Sequence, residues 1–260
     1  LSQKLLDNGI QPLYEPVSDG WHQTLWFPEI GPRYEQESPG LADQLNTNKA
    51  KFADNKTMLT DLTQLKEMYD LGFFGKNALS DAFADRTKAV ADGKVAMTLM
   101  QSAFPNDLKH DYPDTDPANW GVFVIPLADH QLLNINPAAP THSIYSGSQH
   151  IAEAKQHLDF LTQPENLQYY LDNEPQFLTL PFPGVKSKYS PELQAFMDAH
   201  KDARGVVYQT EVNYVNPQWM DIGKDITAMF TGEETPADVL ANVDKRRADL
   251  AEAAKDPAWN

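Results

Sequence analysis

The chain has 260 residues, 41% of them hydrophobic and 22% charged, with a formal net charge of −16. That length can bury a sizeable core, as one large or two small domains. The acidity argues against nucleic acid and against a polybasic grip on anionic lipid, because both surfaces would repel it. There is no cysteine, so neither disulfides nor thiolate chemistry are available. No apolar run reaches the length of a membrane-spanning helix.

The opening LSQKLLDNG has neither the basic nor the apolar region of an export signal and reads as mid-helix. The chain is therefore expected to begin part-way through a longer protein. Leu1 to Asp7 is read as an amphipathic helix stopped by Asn8-Gly9. Ile10 to Pro16 reads as a short strand, and Ser18-Asp19-Gly20 as a turn, with Trp21 and Trp26 at the start of a second helix. Residues 32–50 are polar and rich in Pro, Gly, Asn and Gln, which predicts loop with one short helix. Thr57 to Leu71 is a predicted helix with Met58, Leu62, Leu65 and Tyr69 on one stripe and Gly72 as its stop.

Residues 83–104 predict a short helix running into Asp92-Gly93, then an apolar strand from Val95 to Met100, buried on both faces. Ligand clefts of open α/β sheets lie just beyond the carboxyl ends of such strands. Gln101, Ser102 and Phe104 are accordingly placed at the mouth of a site. HDYPDTDPAN (110–119) reads as loop and WGVFVIP (120–126) as a second buried strand. The Pro/Asn-rich stretch 128–141 is a candidate hinge or lobe boundary, and Ser143 to Ser146 is β-like.

Ser148 is expected to cap a helix with Ile151, Ala154, Leu158 and Leu161 inward, and Pro164 to start another with Leu167, Tyr170 and Leu171 inward. LTLPFPGV (178–185) is too proline-rich for a central strand and reads as an extended crossing. Pro191 to His200 is helical. Asn216-Pro217 is a helix start, with Trp219, Ile222, Ile226, Met229 and Phe230 as its stripe and Gly232 as its stop. Thr235-Pro236 begins the last helix. Helices outnumber strands and alternate with them, which predicts an α/β fold.

The histidines form no HExxH pair, and the acidic loop Asp111, Asp114, Asp116 lacks the glycine and closing glutamate of a calcium loop. His150 and His157 share a helix face without an acidic partner. No metal site is expected. Without GxGxxG, P-loop or GxSxG, no nucleotide cofactor or serine nucleophile is expected either. Asp19, Glu29, Glu211 and Asp221 lie near aromatic residues, which leaves a glycoside-hydrolase pair such as Asp19 and Glu211 open as an enzymatic alternative. Trp21 and Trp219 stand at the ends of elements, where a flat ring can project into a cleft and stack on the C–H face of a sugar. The same spacing is also compatible with both being core. Trp26 and Trp120 are assigned to core.

ADGKVAM (91–97) resembles the "F-x-x-G-K-A-A-M" segment of bacterial extracellular solute-binding proteins, the maltose-binding-protein-like sugar-binding components of ABC importers. Four further segments are similar in order. GIQPLYEPVSDGW (9–21) resembles "G-I-x-P-…-D-G-W", and WGVFVIPL (120–127) resembles "Y-G-V-x-P-L-P". AKQHLDFLTQPENLQYY (154–170) resembles "A-x-x-F-L-x-F-L-T-S-P-E-N-Q", and MFTGEETPADVLANVDKR (229–246) resembles the closing "G-x-x-S-P-E-E-A-L".

The resemblance implies a periplasmic-binding-protein-like fold of type II, helix-rich, with short crossing segments between two lobes. Residues 1–127 and 188–260 would build the second lobe, and 128–187 would hold the hinge and the return to a first lobe that largely precedes Leu1. It implies a non-catalytic protein that closes on a mono- or oligosaccharide and delivers it to permease subunits in the membrane. Such a protein would act as a monomer, lipid-anchored at the extracellular face or free in the periplasm. Trp21 and Trp219 match stacking aromatics of the family, with Asp19 beside Trp21 as a hydroxyl acceptor. Gln23, Glu211, Tyr214 and Asn216 are further candidates for polar lining. Where relatives often read "N-G-P-W", this chain has Met100-Gln101-Ser102-Ala103-Phe104, so the aromatic of a third platform has either become Ala103 or shifted to Phe104.

Overall fold

The computed structural model describes residues 1–129, 131–135 and 142–259. In chain order its helices begin with α1 (Ser2–Asp7), α2 (Gly31–Glu37), α3 (Leu41–Asn46), α4 (Lys56–Asp70), α5 (Arg86–Ala91) and α6 (Phe104–Asp111). They continue with α7 (Ile151–Leu161), α8 (Pro164–Asn173), α9 (Pro191–Ala199), α10 (Tyr208–Glu211), α11 (Trp219–Thr231) and α12 (Pro236–Ala254). Strands β1 (Gln11–Tyr14) and β2 (Val95–Thr98) pair in parallel, with Leu13 opposite Met97. The chain divides into two compact units. One is Leu1–Leu99, Val124–Ala138 and Asp202–Asn260; the other is Met100–Phe123 and Ala139–Lys201. Of the candidate hinge at 128–141, His130 and residues 136–141 lie outside the described residues.

The first unit is built around α4, α11 and α12. Asn55 opens α4 by accepting the Met58 N–H at 3.0 Å, and Met58, Leu62 and Leu65 are fully buried. Tyr69 completes the stripe by stacking on Phe230 of α11, with centroids 4.7 Å apart and planes 4° from parallel. Ile222, Ile226, Met229 and Phe230 bury the facing side of α11, and Gly232 ends it at φ 84°. Asn216 does not cap this helix. It opens a 3-10 turn, Asn216–Gln218, and α11 begins at Trp219. Thr235 and Asp238 form a capping box at the start of α12, whose Val239, Leu240 and Val243 close the same core. The stretch 32–50 holds two short helices where mostly loop is expected, because Leu41 and Leu45 of α3 find the core.

Several expected strands are absent or smaller. β2 stops at Thr98, and only Val95 in it is buried, so the expected burial on both faces is corrected. Residues 120–126 form no strand: Phe123 is 61% exposed while Val124 is buried. Trp120, expected in the core, is half-buried. An apolar run alone does not distinguish a strand from an irregular segment, and here no neighbouring strand among the described residues pairs with it. Ser143 to Ser146 is likewise irregular.

The second unit packs Ala103, Leu178 and Leu193 against Val122, Tyr189, Phe196 and Met197. The expected stripe of α7 is the half-buried side of that helix, but none of its residues is fully buried. In α8, Leu167 and Leu171 turn inward, whereas Tyr170 stays 48% exposed, against expectation.

Candidate functional site

The candidate site grows from the carboxyl ends of β1 and β2 in the first unit. β1 runs directly into Glu15, which is fully buried and therefore needs partners. Its Oε2 accepts the Trp26 Nε1–H at 2.7 Å, and its Oε1 lies 2.8 Å from His22 Nδ1. His22, also fully buried, places Nε2 3.1 Å from the carbonyl oxygen of Leu99, one residue past β2. A carbonyl only accepts, so Nε2 carries a proton, and a second proton is shared along the Nδ1–Oε1 line. This network fastens both strand ends to the turn that carries Trp21.

Trp21 is half-buried on that support. Its ring meets His22 edge-on at 5.2 Å and lies 4.9 Å from Phe83 at 56°. Phe83 is itself half-buried, with the Arg86 guanidinium 4.0 Å from its ring centroid. The result is a stepped pair of aromatic surfaces. Sequence reading missed Phe83, although it opens the stretch 83–104; its only signal is an aromatic residue at the start of an element, as for Trp21. Carboxylates rim the step. Asp19 is exposed and accepts the Phe83 N–H. Burial, and then the nearby Asp85, push the Asp81 carboxyl up. The Tyr14 hydroxyl, which donates to the Ala82 carbonyl at 2.8 Å, is pushed up to about 12 by burial and by Asp81, Asp85 and Asp19.

α11 docks against the same turn. A Cβ on Gly223 would stand 1.9 Å from the Gly20 carbonyl oxygen, so only glycine permits the approach. Thr24 donates to the Trp219 carbonyl at 3.3 Å, which joins the elements bearing Trp21 and Trp219; Trp219 is half-buried. Gln23, a candidate for polar lining, is instead fully buried, and its Nε2 donates to the Gly223 carbonyl and to Thr227 Oγ1, both at 3.0 Å. It pins α11 in place.

The remaining candidates are placed as follows. Glu211 is exposed at the end of α10, and its Oε1 accepts the Val207 N–H at 3.3 Å. Tyr214 sits at φ 68° and donates its hydroxyl to Asp256 at 2.8 Å. Asn216 is exposed and accepts from Gln209 Nε2 at 3.0 Å. Gln101, Ser102 and Phe104 belong to the second unit. Gln101 and Ser102 are exposed, and the Gln101 carbonyl accepts the Phe104 N–H. Phe104 is 5% exposed as the first residue of α6. Among the described residues no group of three or more histidine, aspartate or glutamate side chains is arranged to hold a metal ion. None of the described helices is long and apolar enough to cross a membrane.

A family model for bacterial extracellular solute-binding proteins matches residues 3–168. No curated protein matches the chain. Among solved structures, a putative binding protein MsmE from Bacillus subtilis, in an open conformation, is similar with a TM-score of 0.73 and 16% identity, over 97% of this chain and 63% of its own. A sugar transporter protein from Bacillus licheniformis in complex with stachyose gives 0.66 and 16%, over 95% and 63%. The solute-binding protein RafE in complex with raffinose gives 0.66 and 17%, over 100% and 64%. This chain thus spans less than two thirds of the length of each. The likeness establishes a helix-rich, periplasmic-binding-protein-like fold of type II.

Proposed function

The chain belongs to the bacterial extracellular solute-binding proteins, and from that premise we propose that it captures a mono- or oligosaccharide and delivers it to an ABC-type membrane importer without breaking any bond. The observation that carries this reading is the aromatic step of Trp21 and Phe83, rimmed by carboxylates at the strand ends. Flat apolar faces receive the C–H side of a sugar ring, while carboxylates accept its hydroxyls. Trp219, on the adjoining helix, supplies a second stacking face. The stachyose and raffinose bound by the two similar proteins support the substrate class.

Residues 1–127 and 188–260 are assigned to one lobe, and 128–187 to the hinge and the return to the other. The two compact units are drawn differently, since 100–123 and 188–201 group with 139–187. Cleft closure on the sugar couples binding to delivery. The protein works as a monomer at the extracellular face, lipid-anchored, or in the periplasm.

Titration calorimetry over a panel of mono- and oligosaccharides tests the proposal. Saturable binding to at least one sugar is expected, weakened about 10-fold or more (~1.4 kcal/mol) by Trp21→Ala and by Trp219→Ala. Binding of an amino acid or peptide in place of any sugar would overturn the substrate class. Release of reducing sugar from an oligosaccharide, lost in Asp19→Asn or Glu211→Gln, would overturn the non-catalytic reading.

A further inference from the structure

We propose that a cleft of about 260 Å³ in the first unit, lined by Arg33, Glu37, Lys56, Thr57, Thr60 and Ala128, is a binding site for a compact oxyanion. The site is separate from the aromatic step and independent of the sugar reading. Arg33 is 7% exposed, a burial that a guanidinium tolerates only when its donors are used. One Nη1–H goes to the Leu127 carbonyl, but the Nε–H is buried with no hydrogen-bond partner among the described residues. The neighbouring Asp61 does not supply the missing partner: its Oδ2 is engaged by Tyr34, and its buried Oδ1 has no hydrogen-bond partner among the described residues. Burial pushes the Asp61 carboxyl towards its neutral form, which leaves the Arg33 charge still less compensated.

A second cation lies at the rim. Lys56 is exposed and is the first residue of the 15-residue helix α4. The first turn of α4 carries no acidic residue, and the Asn55 side chain accepts only the Met58 N–H there. The remaining N–H groups of a helix start and its dipole favour a negative charge. Thr60 has already given its hydroxyl proton to the Lys56 carbonyl at 2.9 Å, which leaves Arg33, Lys56, the Thr57 hydroxyl and the helix start as donors towards an anion. The lining holds two cations, Arg33 and Lys56, and one carboxylate, Glu37, and the Asp129 carboxylate also acts on Arg33. The planar fork of Arg33 suits the paired oxygens of a phosphate, sulfate or carboxylate.

The test titrates the protein with inorganic phosphate, sulfate and acetate against chloride at matched ionic strength, read by calorimetry and thermal shift. Saturable single-site binding of at least one of the three is expected. Phosphate or sulfate as the winner identifies a tetrahedral ligand group, and acetate a carboxylate. Lys56→Gln is expected to weaken binding about 5-fold or more, and Glu37→Gln to strengthen it. Both positions are exposed, so the test stands even where the buried Arg33→Gln fails to fold. No saturation by any of the three overturns the proposal. So does an affinity that Lys56→Gln leaves unchanged, which would mark an adventitious ion only.

Discussion

At Asp61, a single proton decides the bonding. The Tyr34 hydroxyl lies 3.0 Å from the Phe27 carbonyl and 2.9 Å from Asp61 Oδ2, and both side chains are fully buried. A phenol has one proton to give, and the carbonyl can only accept. Both contacts are satisfied when Asp61 is protonated and donates to Tyr34. Burial raises the Asp61 carboxyl well above its usual range, against the opposing pull of Tyr34 and then Arg33. Burial also raises Glu29, to about 7. A carboxyl whose pKa is higher folded than unfolded contributes stability that is complete below its unfolded value and lost as pH rises through the folded one. Urea midpoints are therefore expected to fall between pH 5 and pH 8. Asp61→Asn with Glu29→Gln should flatten that fall, because the amides stay neutral throughout. An equally steep fall in the double variant would refute the assignment.

At the scale of elements, the decisive joint is the one between the Asp19–Trp21 turn and α11. Alanine is ordinarily the better helix residue, by about 1 kcal/mol over glycine. At Gly223 that preference loses, because the Cβ would overlap the Gly20 carbonyl and come within 3.1 Å of Thr24 Oγ1. Gly223→Ala is expected to cost about 2 kcal/mol net, since overpacked helices must shift. It should also weaken sugar affinity by displacing Trp21 against Trp219. Denaturation and calorimetry on the same variant check both effects; a stabilised protein with intact affinity would show that the joint is looser than drawn. Arg247 of α12 is a second fixed point. It is fully buried, donating to the Asn213 carbonyl at 3.0 Å and the Leu45 carbonyl at 2.9 Å, beneath Phe52 and Trp259.

For the molecule as a whole, the net charge of −16 sets a uniform self-repulsion that added salt screens. The melting temperature is expected to rise from 10 mM to about 200 mM sodium chloride. Phosphate at equal ionic strength should raise it further in the wild type but not in Lys56→Gln, which separates screening from binding. Equal shifts for both salts in both proteins would leave screening as the whole effect.

The sequence alone determined the elements whose signals are local. Met58, Leu62 and Leu65 recur at helical spacing, Gly72 and Gly232 supply the left-handed stops, and Thr235 with Asp238 writes a capping box. The ordered segments similar to solute-binding proteins were legible for the same reason, since each is a short run of neighbours along the chain. Tertiary structure decided what depends on partners remote in sequence. Phe104 reads as a stacking ring but is buried at the start of α6, and Gln23 reads as cleft lining but is held by α11, 200 residues away. The run 120–126 finds no pairing strand among the described residues, and Phe83 meets Trp21 and Arg86 only in the folded chain. Propensity and periodicity are properties of a segment, whereas burial, pairing and the use of a polar group are properties of the space around it.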